Sequence, residues 1–275
     1  MNTLFKRTLT GCVFIAIVLT GIMIHPVIFA LVFATLLFYS QLEFYKLVER
    51  GDNSPRKTTG LILGVLLFAI CFGIVYKIVP KPSYLIFIPV LIIIFISDIV
   101  KESSRLIHNI AITITGFIYV AVPFSLLVFI VFPGYPEDPQ FSPDLAAGIF
   151  FIMWAYDSGA YLCGSLVGKH KIHEKISPNK TWEGLMGGSV LAIAMAIGNS
   201  SVFNVSKISE WIVIAVITVI FGTLGDLFES RIKRRVMVKD SGRLLPGHGG
   251  LLDRLDSFLF IIPVIFVWLT FTGKL

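Results

Sequence analysis

Residues 11–42 read GCVFIAIVLTGIMIHPVIFALVFATLLFYSQL, and this run contains no Asp, Glu, Lys or Arg. An α-helix needs about 20 apolar residues to cross the hydrocarbon core of a membrane, so the run is too long for one crossing. His25-Pro26 lies near its middle, and proline disfavours a continuous helix because it has no N–H to donate. The stretch therefore predicts two membrane helices joined by a tight turn.

The composition of the whole chain is also that of a membrane protein. Of the 275 residues, 56% are hydrophobic and only 15% are charged, whereas soluble domains carry about 25% charged residues. Mean hydropathy is +0.86. Recurring apolar runs predict an all-α, polytopic integral membrane protein with about nine transmembrane helices. The predicted spans are residues 8–24, 27–45, 58–76, 83–100, 108–132, 145–166, 181–203, 208–228 and 250–272.

The N-terminal segment is similar to a signal peptide in its composition. Leu9–Cys12 is similar to a lipoprotein cleavage box, in which the apolar stretch precedes the cysteine. Here the apolar stretch follows Cys12, so we interpret the segment as an uncleaved first span. Cys12, Cys71 and Cys163 all lie within predicted spans. Their odd number and spacing fit neither a disulfide framework nor a metal site, and packing roles are expected.

Positive charge is distributed unevenly between the loops. With the N-terminus inside, nineteen of the 23 Lys and Arg residues fall in cytoplasmic segments. The other four are Lys77, Lys81, Lys207 and Lys274. Cytoplasmic loops carry an excess of Lys and Arg, so this distribution predicts an N-in, C-out orientation. The net charge of +6 then faces anionic headgroups and soluble nucleotides.

The two parts of the chain differ in the polarity of their spans. Residues 1–140 carry few charges within spans and are interpreted as a transmembrane scaffold. Residues 141–275 form the predicted catalytic region, and the two parts make one integrated membrane unit. Charged and small residues enter the helices from Tyr156 onward, so we place the active region in residues 154–257.

Asp157 lies in the sixth predicted span, where a carboxylate is costly unless it has a partner or faces a ligand. Asp157, Tyr161, Gly164 and Gly168 share one helical face. Two interpretations stay open. The face packs closely against another helix and contains one polar network, or Asp157 lines a substrate cleft.

The inner loop from Gly168 to Thr181 is basic and is followed by a predicted helix. Ser177-Pro178 is typical of a helix start, with Ser as the cap and Pro in the first turn. A helix N-terminus beside Lys180 favours phosphate binding; the alternative is a basic loop that contacts anionic lipid. The pair Gly184 and Gly188 favours helix packing over ligand binding.

Carboxylates cluster near the last two spans. Asp226, Glu229, Ser230 and Lys233 share a helical face, and Asp253 and Asp256 are three residues apart. Mg²⁺ prefers oxygen ligands, a few from protein and the rest from water and phosphate. Asp226 beside Asp253 would make such a site, whereas a buried ion-pair network with Arg254 is the alternative.

Between these spans, residues 230–257 read SRIKRRVMVKDSGRLLPGHGGLLDRLDS. The turn Pro246–Gly250 lacks the Gly-Lys-Ser/Thr ending of a Walker loop. Gly249 and Gly250 nevertheless expose backbone N–H groups that phosphate could approach. We expect Lys239, His248 and Lys180 to contact a polyphosphate because each adjoins a turn or a helix start. Arg231 and Arg235 lie off the acidic face.

Residues 230–256 resemble the defining pattern of the CDP-diacylglycerol synthases (phosphatidate cytidylyltransferases). The pattern stands here as Ser230, Lys233-Arg234, Lys239-Asp240, Gly242, Leu245-Pro246, His248-Gly249-Gly250, Asp253-Arg254 and Asp256. Asp157–Tyr161, Ser177–Gly184 and Gly225–Leu227 are also similar to the family. The specific similarity covers roughly residues 150–260.

The resemblance implies that CTP and phosphatidic acid react to give CDP-diacylglycerol and pyrophosphate with Mg²⁺, the number of cations being left open. It also implies a homodimer in membrane lipid, and no nucleic acid partner is expected. We expect a bacterial-type inner membrane with the active site facing the cytoplasm. The predicted catalytic residues are Asp226, Asp253, Lys239, His248 and Asp256, and Asp226 and Asp253 are also the predicted metal ligands. The predicted binding residues are Lys180, Ser177, Lys233, Arg234, Gly249, Gly250 and Asp157.

Two other functions fit a polytopic helical protein with acids in its spans. The first is an ion-coupled transporter. Transporters often contain internal repeats and polar residues in both halves, whereas the polar residues here crowd one end and one membrane side. The second is a CTP-dependent lipid kinase, which would use similar phosphate-binding and metal-binding groups.

The charge distribution predicts the outcome of reporter fusions. Fusions after Arg105, Lys175 and Arg243 should report a cytoplasmic location, and a fusion at Leu275 should report the outside, because the basic loops are retained inside. An outside signal at Lys175 or Arg243 would contradict the orientation.

Overall fold

The computed structural model describes residues 3–50, 53–90, 92, 105–135, 137–247 and 249–275, with only the backbone given for residues 3–7 and 106. These residues form a helical bundle with one small hairpin. Seven described helices are long and apolar enough to cross a membrane. The prediction of an all-α polytopic membrane protein is therefore confirmed.

The first two helices form the predicted hairpin. Helix α1 is Thr3–Met23 and α2 is Pro26–Glu49. The Nδ1 atom of His25 accepts a hydrogen bond from the N–H of Val27 at 3.2 Å and so caps α2. Pro26 occupies the first helical turn, where its missing N–H costs nothing.

The next part of the chain contains an apolar helix, a short 3-10 helix and a second apolar span that is interrupted by a π-helical turn. Helix α3 is Lys57–Val75, and a 3-10 helix covers Lys81–Ile86. Helix α4, Leu106–Gly116, runs through a π-helical turn, Phe117–Ala121, into α5, Val122–Val131. Pro123 follows this turn and has no N–H to bond to the carbonyl four residues earlier, which accounts for the irregular hydrogen bonding. Half of the predicted span 83–100 lies outside the described residues.

The last four helices are those nearest the carboxylate cluster. They are α6, Asp144–Val167; α7, Trp182–Val202; α8, Ile208–Arg235; and α9, Leu252–Phe271. Helix α8 continues seven residues beyond the predicted end of its span at residue 228, so Glu229 and Lys233 extend its acidic and basic face.

The predicted helix start at Ser177-Pro178 is wrong. Strands β1, Lys171–His173, and β2, Ser177–Thr181, form an antiparallel hairpin, and α7 begins after it. The cap is Thr181, whose Oγ1 accepts a hydrogen bond from the N–H of Gly184 at 3.1 Å. Pairing with β1 keeps Ser177 extended, and Pro178 is tolerated because an edge strand needs few ladder donors.

Aromatic side chains from both parts of the chain form the core of the bundle. The ring of Phe258 on α9 lies 4.9 Å from that of Phe124 on α5 and 5.6 Å from that of Phe150 on α6. Ring contacts of this kind stabilise a core beyond the burial of their area. The N-terminal and C-terminal helices thus share one packed interior.

Contacts between loops agree with the predicted sides of the membrane. Lys274 and Glu210, both predicted to be outside, form an ion pair at 3.0 Å. At the other end of the bundle, Arg234 Nε donates to the carbonyl of Ile176 at 3.3 Å. The two contacts therefore lie at opposite ends of the bundle. Which end faces the cytoplasm stays a prediction from the distribution of Lys and Arg.

Helices α6 and α7 pack closely along a row of glycines. A Cβ atom added to Gly184 would lie 2.9 Å from the carbonyl oxygen of Ala160, and one added to Gly188 would lie 2.8 Å from that of Tyr156. Distances this short leave no room for a side chain. The expectation that Gly184 and Gly188 pack helices is confirmed.

We predict that Gly188→Ala destabilises the protein because the methyl group forces α6 and α7 apart. Overpacking of this kind costs about 1–3 kcal/mol. The measurement is the thermal unfolding midpoint in detergent. Gly198→Ala on the same helix is the matched control, since a Cβ there meets no atom within 4 Å. Equal midpoints for the two variants would contradict the packing interpretation.

Candidate active site

A cavity of about 500 Å³ lies between the hairpin, α1 and the four C-terminal helices. This volume is within the range of ligand sites, roughly 300–1,000 Å³. Its lining includes four carboxylates, two basic groups and several apolar side chains. The charged residues are Asp157, Asp226, Asp253, Asp256, Lys180 and Arg254, and the apolar residues include Phe14, Ile15, Trp154 and Leu185.

An ion pair joins the hairpin to α8 at the cavity. Lys180 Nζ lies 2.5 Å from Asp226 Oδ2, and both side chains are partly exposed. The other oxygen of Asp226 accepts a hydrogen bond from Ser230 Oγ at 3.1 Å. A carboxylate and an ammonium group therefore meet at the surface of the cavity, where an anionic ligand could contact the lysine.

The position of Lys180 depends on how the hairpin is attached to α7. The carboxylate of Glu183 accepts hydrogen bonds from the N–H groups of Lys169 and His170 at 3.1 and 3.2 Å. It also lies 2.5 Å from His170 Nδ1. These contacts close the base of the hairpin, and the hairpin then places Lys180 beside Asp226.

A second ion-pair cluster joins α8 to α9. Lys233 Nζ lies 2.6 Å from Asp253 Oδ1 and 2.9 Å from Glu229 Oε2. Glu229 is fully buried and the Lys233 side chain is only 12% exposed. Removing one partner of a buried pair costs about 3–5 kcal/mol because the other charge is left uncompensated. This cluster therefore fixes the separation of the two helices.

Asp253 also holds the loop between these helices. Its carboxylate accepts hydrogen bonds from the N–H of Ser241 at 3.0 Å and from that of Gly250 at 2.8 Å. Within the loop, the N–H of Leu245 donates to the carbonyl of Gly249 at 3.0 Å. Gly249 has a φ of +84°, a conformation that side chains disfavour. One carboxylate thus bonds to both ends of the loop.

Close approach of α8 and α9 places Asp256 in the cavity. Gly225 permits this approach, because a Cβ there would lie 2.5 Å from the carbonyl oxygen of Asp256. Ser257 Oγ donates to the carbonyl of Gly222 at 3.1 Å, and the N–H of Ser257 donates to Asp256 Oδ1 at 2.6 Å. The glycines of α8 are needed for helix contact next to the site.

The structure brings six of the predicted site residues together in one cavity. Those that line the cavity are Asp157, Ser177, Lys180, Asp226, Asp253 and Asp256. Lys233 is committed to its ion pairs, and Arg234 to the hairpin. Lys239 is exposed and does not line the cavity, and neither do Gly249 and Gly250. His248 lies outside the described residues.

Sequence reasoning did not assign the wall formed by α1. Thr10, Gly11, Phe14 and Ile15 line the cavity, and Thr10 Oγ1 donates to the carbonyl of Pro246 at 2.9 Å. An apolar helix carries no motif that would reveal this role. Asn179 and Thr181 also line the cavity; they belong to the basic loop, where their polar side chains were an available signal.

The chemistry of Asp226 and Asp253 fits a divalent cation. Both line the same cavity and offer carboxylate oxygens, the ligands that Mg²⁺ prefers. Across the described residues, no three His, Cys, Asp or Glu side chains form a complete metal cage. A metal here would therefore take its remaining ligands from water and from a phosphate-bearing substrate.

Sequence comparisons connect this site to known proteins. Residues 5–272 match the family model described as the cytidylyltransferase family. The chain is 48% identical over 118 residues to a phosphatidate cytidylyltransferase of Staphylococcus saprophyticus, covering 42% of the chain and 45% of that protein. A phosphatidate cytidylyltransferase of Haemophilus influenzae is 42% identical over 134 residues, covering 47% of the chain and 46% of that protein.

The matched region thus spans about half the length of these curated relatives. The family model, in contrast, extends over nearly the whole chain and includes every helix from α1 to α9. The motifs quoted for the resemblance to CDP-diacylglycerol synthases contribute seven carboxylate, lysine and serine side chains to a single cavity. The chain belongs to the cytidylyltransferase family.

Proposed function

We propose that this protein is a phosphatidate cytidylyltransferase, which makes CDP-diacylglycerol and pyrophosphate from CTP and phosphatidic acid. The observation that carries the proposal is the composition of the cavity wall. Its lining combines the charged Lys180, Asp226 and Asp256 with the apolar Phe14 and Trp154. A lipid phosphate has an ionic head and apolar chains, and this lining contains groups that suit each.

The proposed reaction needs no covalent enzyme intermediate. A phosphate oxygen of phosphatidic acid attacks the α-phosphorus of CTP, and the bond from that phosphorus to the oxygen bridging to the β-phosphate breaks. Pyrophosphate leaves with both electrons of that bond. Phosphate monoesters are largely ionised at neutral pH, so the attacking oxygen needs no general base. The protein has to bring two anions together and neutralise their charge.

Lys180 is the residue best placed to neutralise phosphate charge. It lines the cavity and lies at the end of a hairpin that is fixed by Glu183. Its partner Asp226 keeps the ammonium group in place before substrate binds. Arg254, which also lines the cavity, offers a second cationic group. Two cationic groups in the cavity lining would reduce the repulsion between the nucleotide and the lipid phosphate.

We include Mg²⁺ in the proposal, held by Asp226 and Asp253. When bound, the cation would neutralise charge on the triphosphate and on the leaving pyrophosphate. Asp253 already accepts hydrogen bonds from Lys233, Ser241 and Gly250. A metal would therefore share this carboxylate with the loop, so binding of the cation would depend on how the loop is held.

The cytoplasmic orientation of this cavity and a homodimeric assembly are also part of the proposal. The exposed apolar residues of α7, such as Met186 and Val190, would then face lipid or a second copy. The bacterial origin of the relatives supports an inner membrane location.

Product analysis with CTP labelled at different phosphorus atoms tests the proposed function. Purified protein in detergent is incubated with phosphatidic acid, diacylglycerol as a lipid alcohol, Mg²⁺ and CTP labelled at either the α- or the γ-phosphorus, and lipid is then extracted. Cytidylyl transfer places the α-label in the lipid and leaves the γ-label in water. A γ-label in the lipid would instead indicate a CTP-dependent kinase. If neither the α-label nor the γ-label enters the lipid, both activities are contradicted.

We predict that Asp226→Asn and Asp253→Asn each lower turnover by about 100-fold or more. The reason is that a bound cation would stabilise the charge developing in the transition state by several kcal/mol. The measurement is the rate of CDP-diacylglycerol formation across a Mg²⁺ titration. Asp144→Asn is the control, because Asp144 is the first residue of α6 and does not line the cavity. Wild-type turnover in either cavity variant would remove that residue from the proposed ligand set.

A second prediction separates phosphate binding from diffuse surface charge. Lys180→Ala should lower kcat/KM for CTP by about tenfold or more, since hydrogen bonds to charged groups contribute about 1.5–3 kcal/mol. Arg235→Ala, at the exposed end of α8, is the control and should change little in neutral detergent. Lys239→Ala should have a smaller effect than Lys180→Ala because Lys239 does not line the cavity. Equal losses in all three variants would contradict a defined binding site.

A further inference from the structure

Glu43 is a buried acid in the half of the chain that the sequence assigns to the scaffold. It lies on α2 and is only 8% exposed. A carboxylate removed from water is costly unless hydrogen bonds compensate for the lost solvation. The partners of Glu43 therefore indicate why an acid is present at this position.

Those partners belong to the loop that precedes α9 and to the first turn of that helix. Glu43 Oε2 accepts a hydrogen bond from the N–H of Leu252 at 2.9 Å and lies 3.4 Å from Ser241 Oγ. The residue at the N-cap position of α9 is Leu251, whose apolar side chain cannot accept a hydrogen bond. Glu43 thus supplies from another helix the acceptor and the negative charge that a helix N-terminus favours.

The loop also lies directly against the Glu43 carboxylate. A Cβ atom at Gly250 would be 2.6 Å from Glu43 Oε2, and one at Gly242 would overlap Glu43 Oε1. Glycine at both positions permits the backbone to approach the carboxylate. A second N-terminal residue, Thr10, bonds to the carbonyl of Pro246 in the same loop.

Glu43 and Asp253 hold the same loop from opposite directions. Asp253 accepts hydrogen bonds from the N–H groups of Ser241 and Gly250, while Glu43 bonds to Ser241 Oγ and Leu252 N–H. Asp253 lines the cavity, whereas Glu43 does not. Movement of Ser241 or of the start of α9 would consequently move the Asp253 carboxylate relative to the rest of the cavity.

We propose that Glu43 is a positioning residue of the active site, which fixes the Ser241–Leu252 loop and the first turn of α9 and thereby orients Asp253. It touches neither the cavity nor a substrate within it, so its effect on the reaction is indirect. The N-terminal half contributes in this way to the geometry of the site as well as to the bulk of the bundle. The catalytic consequence rests on the proposed function, while the effect on the loop does not.

The test compares two substitutions of Glu43 with one control in the full-length protein in detergent. Glu43→Gln keeps, at the position of Oε2, an amide oxygen that can accept from both the N–H of Leu252 and Ser241 Oγ. Glu43→Ala removes both contacts. Glu49→Ala is the matched control, because Glu49 is another acid of α2 and forms a partly exposed ion pair with Lys57 at 2.8 Å.

Hydrogen exchange and kinetics give independent readouts. In Glu43→Ala, the amides of residues 241–252 should exchange faster while those of α5 remain protected, since only the local contacts are lost. Turnover should fall by about 10- to 100-fold, the effect of one lost buried acceptor, with the apparent KM for CTP changed by less than about threefold. Glu43→Gln should restore protection of the loop and most of the turnover, and Glu49→Ala should match the wild type.

Two results would overturn the proposal. One is wild-type exchange and turnover in Glu43→Ala. The other is faster exchange through every helix of Glu43→Ala, which would make Glu43 a residue of general stability. If the wild-type protein forms no CDP-diacylglycerol, the proposed function fails, and the exchange measurement still decides whether Glu43 holds the loop.

Discussion

The structure of the site depends on one buried lysine that binds two carboxylates. Lys233 joins Glu229 on its own helix to Asp253 on the next one. In surroundings of low polarity, each of these charges would be costly without the others. Once Asp253 is held in this way, its oxygens also accept the N–H groups of Ser241 and Gly250. The separation of α8 and α9 and the course of their connecting loop therefore follow from the same interaction.

The carboxylates around the cavity then divide into two groups by their contacts. Asp253 and Glu43 bind backbone and loop groups, and so maintain the shape of the site. Asp226 instead meets a lysine from a separate element, the hairpin, across the cavity surface. An ion pair between two elements at a cavity is open to competition from an anionic ligand and a cation. This arrangement supports a site in which charge already present on the protein is redistributed when substrates bind.

The class of helical membrane protein could be predicted from the sequence because long apolar runs are a strong signal of membrane helices. The apolar run through residue 42 and its His25-Pro26 break became α1 and α2, and His25 caps the second helix. The hairpin was missed because Ser177-Pro178 also fits a helix cap, and pairing of β2 with β1 overrides that local preference. Lys233 was predicted as a binding residue from the resemblance, and a sequence pattern does not reveal that its charge is already paired with Glu229 and Asp253.

Contacts between distant parts of the chain were beyond the sequence pattern. Glu43 and Leu252 are separated by 209 positions, and only packing of α2 near the start of α9 brings them together. An acid in an apolar helix was a signal that a partner exists, but it does not identify that partner. The apolar wall from α1 gives no signal at all, since Phe14 and Ile15 would suit a lipid-facing helix equally well.

We propose that the nucleotide and the lipid phosphate meet in the cavity beside Lys180 and Asp226. The decisive experiment is a structure of the protein with Mg²⁺ and a CTP analogue that cannot be cleaved at the α-phosphorus. We expect the triphosphate in the cavity within hydrogen-bonding distance of Lys180, with the cation at Asp226. A triphosphate bound only to the exposed surface around Lys239, with the cavity free of nucleotide, would contradict it.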